Sequence, residues 1–159
     1  MRRVLRCSGL ATIALIAIIM GGMALGLFSG NRPTGLGVSG GKLAAPNNRP
    51  NNVHSQIAMS DSHYIAPIKP NGDAARAFLK LTEIVRAMPR GRIIADKPDY
   101  IYAEFSSPTM GFVDDTEFYL ERSGGVIHVR AAARLGIRDF DANRKRIEAV
   151  RAQLAVSGS

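Results

Sequence analysis

The chain has 159 residues, enough for one domain, and carries 21 Lys and Arg against 13 Asp and Glu, a formal net charge of +8. Four of the basic residues lie within residues 1–32, which contain no acidic residue: Arg2, Arg3, Arg6 and Arg32. The other 17 are mixed with the 13 acids, which is an ordinary surface and predicts no nucleic-acid partner. The single cysteine, Cys7, has no partner in the chain, which excludes an intrachain disulfide framework and a thiolate metal site.

Residues 1–28 are predicted to form a transmembrane anchor or signal sequence. Residues 10–28 contain no charged side chain, and a helix of about 20 apolar residues spans the hydrocarbon core of a bilayer. Because arginines precede this run, the positive-inside rule places the N-terminus in the cytoplasm. The sequence thus predicts a single-pass protein of the inner (cytoplasmic) membrane, in contact with the bilayer through residues 9–28, with its C-terminal domain outside the cytoplasm. The alternative is a signal peptide cleaved at Ala24-Leu25-Gly26.

Residues 29–56 are predicted to form an extended tether. The segment is rich in Gly, Pro, Asn and Ser, and it includes the run Asn47-Asn48-Arg49-Pro50-Asn51-Asn52. It shows neither helical nor strand periodicity, and prolines and glycines recur every few residues. Such a segment would hold the folded domain away from the membrane.

The folded domain is predicted over residues 57–159, and its first regular element is a helix. Asn71 or Asp73 can cap the first turn of this helix. Apolar residues then recur at spacings of three and four and form one stripe for burial: Phe78, Leu81, Val85 and Met88. Pro89 and Gly91 end the helix.

Four strands and a second helix follow. The strands are predicted at residues 92–95, 100–105, 112–122 and 126–134. Asp139 or Asp141 caps the last helix, whose buried stripe is Ile147, Val150 and Leu154. This order of elements predicts an α+β domain of two layers, a four-stranded antiparallel meander flanked by two helices that cover one face of the sheet.

Acids and arginines are concentrated on the third and fourth strands, around the turn Ser123-Gly124-Gly125. Since side chains alternate across a strand, only a loop with an even number of residues keeps apolar side chains opposite one another. A two-residue loop, Gly124-Gly125, predicts these cross-strand pairs: Asp115 with Arg134, Glu117 with Ala132, Tyr119 with Arg130, and Glu121 with His128. The candidate site residues on this charged surface are Asp114, Asp115, Glu117, Arg130, Arg134, Asp139, Asn143, Arg144 and Arg146.

Three interpretations of the charged surface are open. The first is a structural ion-pair network. The second is a groove for an anionic or polar ligand, with the arginines as forked donors to phosphate or carboxylate. The third is an acid/base or divalent-metal site on Asp114, Asp115 and Glu117, although the neighbouring arginines compete with a metal for the same oxygens. Asp114 points toward the apolar face by parity, so it is either a cap for backbone amides or a functional acid with a raised pKa.

Several runs together resemble the family catalogued as domain of unknown function 1499. The resemblance covers about residues 36–155 and rests on these segments: Asn51 to Gln56, His63 to Pro67, Gly111 to Phe118 and Val129 to Arg146. It implies a small membrane-anchored or exported domain with no settled activity. The chain is a divergent member, because Pro46 and Asn52 stand where the family commonly has cysteines, Ala131 and Ala133 where it has serines, and Asp141 where it has glycine.

No complete catalytic set accompanies these features. The sequence has no Gly-x-Ser-x-Gly motif, and its three histidines, His54, His63 and His128, are scattered. The sequence therefore predicts a membrane-anchored, extracytoplasmic binding or assembly module without cofactor, metal or catalytic residue, whose partner is a protein or an anionic envelope ligand. The alternative is a small hydrolase or other enzyme that uses Asp114, Asp115 and Glu117 with or without a divalent ion.

Overall fold

A computed structural model describes residues 12–22 and 26–157 of the chain. Helix α1 covers residues 12–22. The later helices are α2 (Ala74–Ala87) and α3 (Ala142–Ser157). The strands are β1 (Val38–Ser39), β2 (Lys42–Leu43), β3 (Asn52–His54), β4 (Gly91–Lys97), β5 (Tyr100–Ser106), β6 (Val113–Glu121) and β7 (Val126–Ala133).

The main sheet is antiparallel and has five strands in the order β3-β7-β6-β5-β4, while β1 and β2 form a separate hairpin. The chain is α+β, but the predicted four-stranded meander behind a transmembrane helix is wrong. The additional strand is β3, which pairs with β7 from His54 opposite Arg130 to Asn52 opposite Ala132. All three residues of β3 are buried, and a strand this short shows no alternation that would distinguish it from a loop.

The β6–β7 hairpin keeps the predicted parity but not the predicted register. Glu121 pairs with Val126, so the loop contains residues 122–125 rather than two glycines. Gly125 adopts a φ of 61°, which its missing side chain allows. A shift of two residues leaves every side chain on its predicted face but changes its partner: Glu117 lies opposite Arg130, and Asp115 opposite Ala132.

Helices α2 and α3 cover one face of the sheet and form the main core with it. Their buried stripes match the predicted spacing, with Phe78 and Val85 on α2 and Ile147 and Val150 on α3 among the buried residues. The α2 helix begins at Asp73, whose carboxylate accepts hydrogen bonds from the amides of the first turn. These contacts fix the polar face of the sheet on the side opposite the helices.

The opposite face is covered by residues 32–43, here called the covering segment, which precede β3 and lie within the predicted tether. Leu43 packs with Tyr100 and Tyr102 in a second apolar cluster. Gln56 fastens the β1–β2 hairpin, since its Oε1 accepts from the Leu43 amide at 2.9 Å and its Nε2 donates to the Gly41 carbonyl at 2.9 Å. The segment is thus held in place by side-chain contacts with distant residues, which its sequence does not reveal because it has no helical or strand periodicity.

No helix within residues 12–22 and 26–157 is both long enough and apolar enough to cross a bilayer. This finding contradicts the predicted single-pass span and, with it, the inner-membrane location. Gly26, at a φ of 68°, begins a turn in which the Ser29 amide donates to the Gly26 carbonyl at 3.0 Å. Phe28 meets Phe112 edge to face at 6.1 Å between ring centroids. The basic N-terminal segment, residues 1–6, lies outside the described residues, as do Ala24 and Leu25 of the alternative cleavage site.

Candidate functional site

The predicted charged surface is divided between the two faces of the sheet. Strand pairing places Glu104 opposite Asp115, and Glu117 opposite Arg130. Because side chains alternate along a strand, these four lie on the face away from the helices, whereas Asp114 lies on the helix face. The nine candidate residues therefore do not form one surface.

Asp115 is the centre of the first cluster and has no exposed surface. Arg134 binds it with Nε, at 3.1 and 3.0 Å from the two carboxylate oxygens, and with Nη2 at 2.7 Å from Oδ1. The Tyr102 hydroxyl donates to the same Oδ1, and Arg134 also donates to Glu104. Arg32 completes the cluster with bonds of 2.9 and 2.6 Å to Glu104. Every carboxylate in this cluster is thus bound by a guanidinium group.

Glu117 is the centre of the second cluster and is also fully buried. Its Oε1 accepts from the Tyr100 hydroxyl and from the Gly37 amide, each at 2.7 Å, and its Oε2 accepts from Arg130 Nη1 at 2.7 Å. Burial, together with the hydrogen bond to Glu117, raises the pKa of Tyr100 and keeps its phenol a donor. Among the described residues, Arg130 Nε has no partner. Both clusters lie beneath the covering segment, as a structural ion-pair network would.

Asp114 faces the helices and binds Arg146 of α3, with 2.7 Å between Oδ2 and Nη2. Arg146 also donates to Asn143 at 2.6 Å and lies 4.5 Å above the centroid of the Phe105 ring. Burial raises the pKa of Asp114, and Arg146 opposes that shift without cancelling it. The partner of Asp114 is therefore a guanidinium of α3, which sequence parity alone could not identify.

Asp139, Asn143 and Arg144 connect the start of α3 to the loops around β3. Asp139 accepts from the Asn143 amide at 3.1 Å and from the Asn143 side chain at 2.9 Å. The Asn143 side chain also donates to the Asn51 carbonyl at 3.1 Å. Arg144 donates to the Tyr64 carbonyl at 2.9 Å. These three side chains hold backbone segments together.

The geometry argues against the acid/base alternative. Asp115 and Glu117 are bound by different arginines on one face of the sheet, and Asp114 is bound by a third arginine on the other face. Within residues 12–22 and 26–157 there is no group of three His, Cys, Asp or Glu side chains that could hold a metal ion. The three carboxylates do not converge on a common point where a substrate or ion could contact all of them.

A cavity of about 880 Å³ lies on the helix side, between the N-terminal half of α2, the C-terminal half of α3 and the loop over residues 64–73. Much of its wall is apolar and includes Pro67, Ile68, Ala77 and Leu154. Its charged lining consists of four cations and one acid: Lys69, Arg76, Lys80, Arg151 and Asp73. Both the size and the mixed lining are typical of small-molecule sites.

The four cations of the lining differ in the hydrogen bonds and ion pairs that they form. Arg151 donates to the Ala66 and Pro67 carbonyls and to Glu148, and Lys80 is paired with Glu83 at 2.9 Å. Lys69 and Arg76 are exposed, and neither forms a side-chain hydrogen bond or an ion pair within the part of the chain that the structure describes. Asp73 is already engaged, because its carboxylate caps α2 with bonds of 2.8 and 3.2 Å.

Sequence reasoning did not predict this cavity. Its walls come from residues 64–80 and 151–157, and no motif links two segments so far apart in sequence. The only local signal is the basic pair Arg76 and Lys80, which a helical spacing of four places on one face of α2. That pair alone is typical of any solvated helix.

Five antiparallel strands, two helices on one face and a covering segment on the other define a small α+β domain. The family described as "Protein of unknown function (DUF1499)" matches residues 42–154, which is more than half of the chain. The chain therefore belongs to this family, as its sequence resemblance indicated. No curated protein and no solved structure matches it.

Proposed function

We propose that this domain is a binding module, and that its ligand site is the cavity between α2, α3 and residues 64–73. The observation that carries the proposal is the pair Lys69 and Arg76, two exposed cations that form no side-chain hydrogen bond or close ion pair among the described residues, at the wall of a largely apolar cavity. Arg76 interacts with Asp73 through space only, and that carboxylate is bonded to the first turn of α2. Cations that are not held in close ion pairs and that line a concave surface attract anions. The ligand is accordingly small and anionic.

The charged face of the sheet is the site that the sequence favours, but its side chains are already bonded to one another, which supports the cavity as the ligand site instead. Asp115, Glu117 and Arg130 are buried and bound to one another or to neighbouring side chains, so a ligand would have to break existing ion pairs to bind there. Removing a partner from a buried ion pair costs several kcal/mol. A ligand that binds at Lys69 or Arg76 would break no buried ion pair.

The module is proposed to act without catalysis. Among the residues that the structure describes, the cavity lining contains Asp73 as its one acid and contains no histidine or cysteine. The Asp73 carboxylate is bonded to the first turn of α2. General acid/base work needs a titratable group within reach of the reacting atom and free to exchange its proton. The lining offers binding groups and no free proton carrier with an ordinary pKa near neutrality.

The test asks where a ligand protects backbone amides of the full chain from hydrogen exchange, at the cavity or at the charged face of the sheet. Amide hydrogen exchange is measured with and without 8-anilinonaphthalene-1-sulfonate, a small anion with an apolar body. Protection is expected at residues 64–77 and 151–156, and Ala77→Trp, which fills the cavity, should abolish it. Leu79→Trp, at an exposed position of the same helix, is the matched control and should keep it. Protection confined to β5–β7 and the covering segment would refute the proposal.

A further inference from the structure

The chain contains seven asparagines, and Asn71 is the one that precedes a glycine. An asparagine side chain can be attacked by the backbone nitrogen of the next residue, and a side chain on that next residue obstructs the attack. Gly72 has no side chain and so leaves its nitrogen unobstructed. Asparagine is among the thermolabile residues of proteins, and the sequence singles out Asn71 for this reaction.

The structure leaves both reacting groups of this pair free. Asn71 and Gly72 are exposed and lie in the bend before α2. Within residues 12–22 and 26–157, neither the Asn71 side chain nor the Gly72 amide forms a hydrogen bond. A Cβ atom at Gly72 would have no neighbour within 4 Å, so the surroundings of this residue are open. The two groups can therefore meet without breaking a contact of the fold.

The other asparagines lack this combination. Three of them are buried and donate side-chain hydrogen bonds, namely Asn51, Asn52 and Asn143. Asn47 accepts a hydrogen bond from the Arg49 amide at 2.8 Å. Asn31 and Asn48 are exposed, but an arginine follows each of them. Exposure alone thus does not distinguish Asn71, whereas exposure together with the following glycine does.

The reaction needs no reagent besides solvent water. The Gly72 nitrogen bonds to Asn71 Cγ, the bond from Cγ to Nδ2 breaks, and Nδ2 leaves as ammonia with the proton of the Gly72 amide. Water then opens the cyclic imide at one of its two carbonyl carbons and leaves aspartate or isoaspartate at position 71. Both products carry a carboxylate where a neutral amide stood, so the charge at this position changes by one unit in either case.

The new charge lies in the wall of the cavity between α2 and α3, because Asn71 belongs to its lining. Four cations and one acid line the cavity among the described residues, and the reaction adds a second acid. A carboxylate two residues from Lys69 lowers the attraction of this wall for an anion. We propose that Asn71 deamidates in the folded protein and that the modification weakens anion binding in the cavity. The effect on binding rests on the proposed function, whereas the modification itself does not.

Peptide mapping by mass spectrometry tests the modification in the full-length protein, incubated for several days at mildly alkaline and at mildly acidic pH. Conversion to aspartate and isoaspartate is expected at Asn71, and faster at alkaline pH, because the attacking nitrogen must lose its proton. Asn31 and Asn48 are the internal controls and should remain largely intact. Asn71→Gln should stop the reaction, since glutamine would have to form a larger ring. If Asn71 stays intact, or converts no faster than Asn31 and Asn48, the proposed modification is wrong.

Fluorescence titration with 8-anilinonaphthalene-1-sulfonate tests the effect on binding. Asn71→Asp carries the charge of the product, and Asn71→Gln stays neutral. Asn71→Asp should bind the probe roughly two- to fivefold more weakly than Asn71→Gln at low salt, and the difference should shrink at high salt as the charges are screened. Asn48→Asp adds the same charge outside the cavity lining and should keep the wild-type affinity.

The outcomes separate this inference from the proposed function. Equal affinities of Asn71→Asp and Asn71→Gln would overturn the effect on binding, and so would an equal loss in Asn48→Asp. If neither the wild type nor Asn71→Gln binds the probe at the cavity, the proposed function fails and the effect on binding fails with it. The peptide map decides the modification at Asn71 in every case.

Discussion

Arg134 binds Asp115 diagonally across two strands, because the residue paired with Asp115 in the sheet is Ala132. The diagonal reach lets one guanidinium serve carboxylates on two strands, Asp115 on β6 and Glu104 on β5. The Arg134 side chain is only 7% exposed, so these ion pairs lie in an environment of low dielectric. The cluster therefore behaves as part of the interior rather than as a surface.

Replacing Asp115 tests this interior character. Asp115→Asn keeps the volume but leaves the buried Arg134 without one of its two carboxylates, and we expect a loss of roughly 3 kcal/mol in the free energy of unfolding. Glu121→Gln is the control, because that side chain is 42% exposed and bonded to His128. It should cost less than about 1 kcal/mol. Urea denaturation measures both, and similar losses in the two variants would show that the Asp115 cluster is effectively solvated.

The elements that could be predicted from the sequence are those with a regular period. The stripes of α2 and α3 and the faces of β5, β6 and β7 follow from spacings of three, four and two, which sterics impose on any helix or strand. Parity also places Asp115 and Arg134 on one face. It could not choose between loops of two and four residues, since both are even, and so the predicted partners are shifted by two.

Features made by distant segments could not be predicted in this way. The three residues of β3, the cover that brings Gly37 to Glu117, and the cavity between α2 and α3 each depend on contacts across a large part of the chain. Likewise, the composition of residues 10–28, which carry no charge, predicts a spanning helix. The turn that starts at Gly26 depends instead on the backbone conformation of that glycine, which has a φ of 68°.

The start of α2 provides a second stability test. Sequence left Asn71 and Asp73 as alternative caps, and the structure assigns the role to Asp73, which accepts from the amides of Ala75 and Arg76. Asp73→Ala should therefore lower the free energy of unfolding by about 1 kcal/mol. Asn71→Ala, at an exposed position that precedes the cap, should change it by less than about 0.5 kcal/mol. A larger effect at Asn71 than at Asp73, measured by thermal unfolding, would reverse the assignment.

Gly91 tests the packing between the end of α2 and the sheet. A Cβ atom at Gly91 would lie 2.7 Å from Cε1 of the buried Phe105 ring and 3.3 Å from the Met88 carbonyl. Gly91→Ala should thus overpack the core and cost about 1–3 kcal/mol. At Gly124, in the β6–β7 loop, a Cβ would meet the carboxylate end of Glu121, a flexible side chain, at 3.2 Å, and Cγ2 of Val126 at the ordinary contact distance of 3.6 Å. Gly124→Ala should therefore be tolerated with less than about 1 kcal/mol lost, and equal losses would show that Phe105 can move aside.

Glu104 predicts how stability depends on pH. Burial alone would raise the pKa of Glu104, but hydrogen bonds from Arg32, Arg134 and Tyr102 outweigh it and lower the pKa from 4.5 to about 2. A carboxyl whose pKa is lower in the folded state binds its proton more weakly there than in the unfolded chain. Its stabilising contribution is therefore complete above pH 4.5 and is lost as the pH falls toward about 2.

The measurement is the free energy of unfolding in urea at several pH values across that window, for the wild type and for Glu104→Gln. The wild type should lose stability more steeply as the pH falls from about 4.5 to about 2, because glutamine takes up no proton in either state. Above pH 4.5 the variant should be the less stable of the two, since Arg134 and Arg32 lose an ionised partner. Glu148→Gln, on the exposed side of α3, serves as the control and should retain the wild-type slope. Parallel pH profiles for wild type and Glu104→Gln would mean that Glu104 gains nothing from its three partners in the folded state.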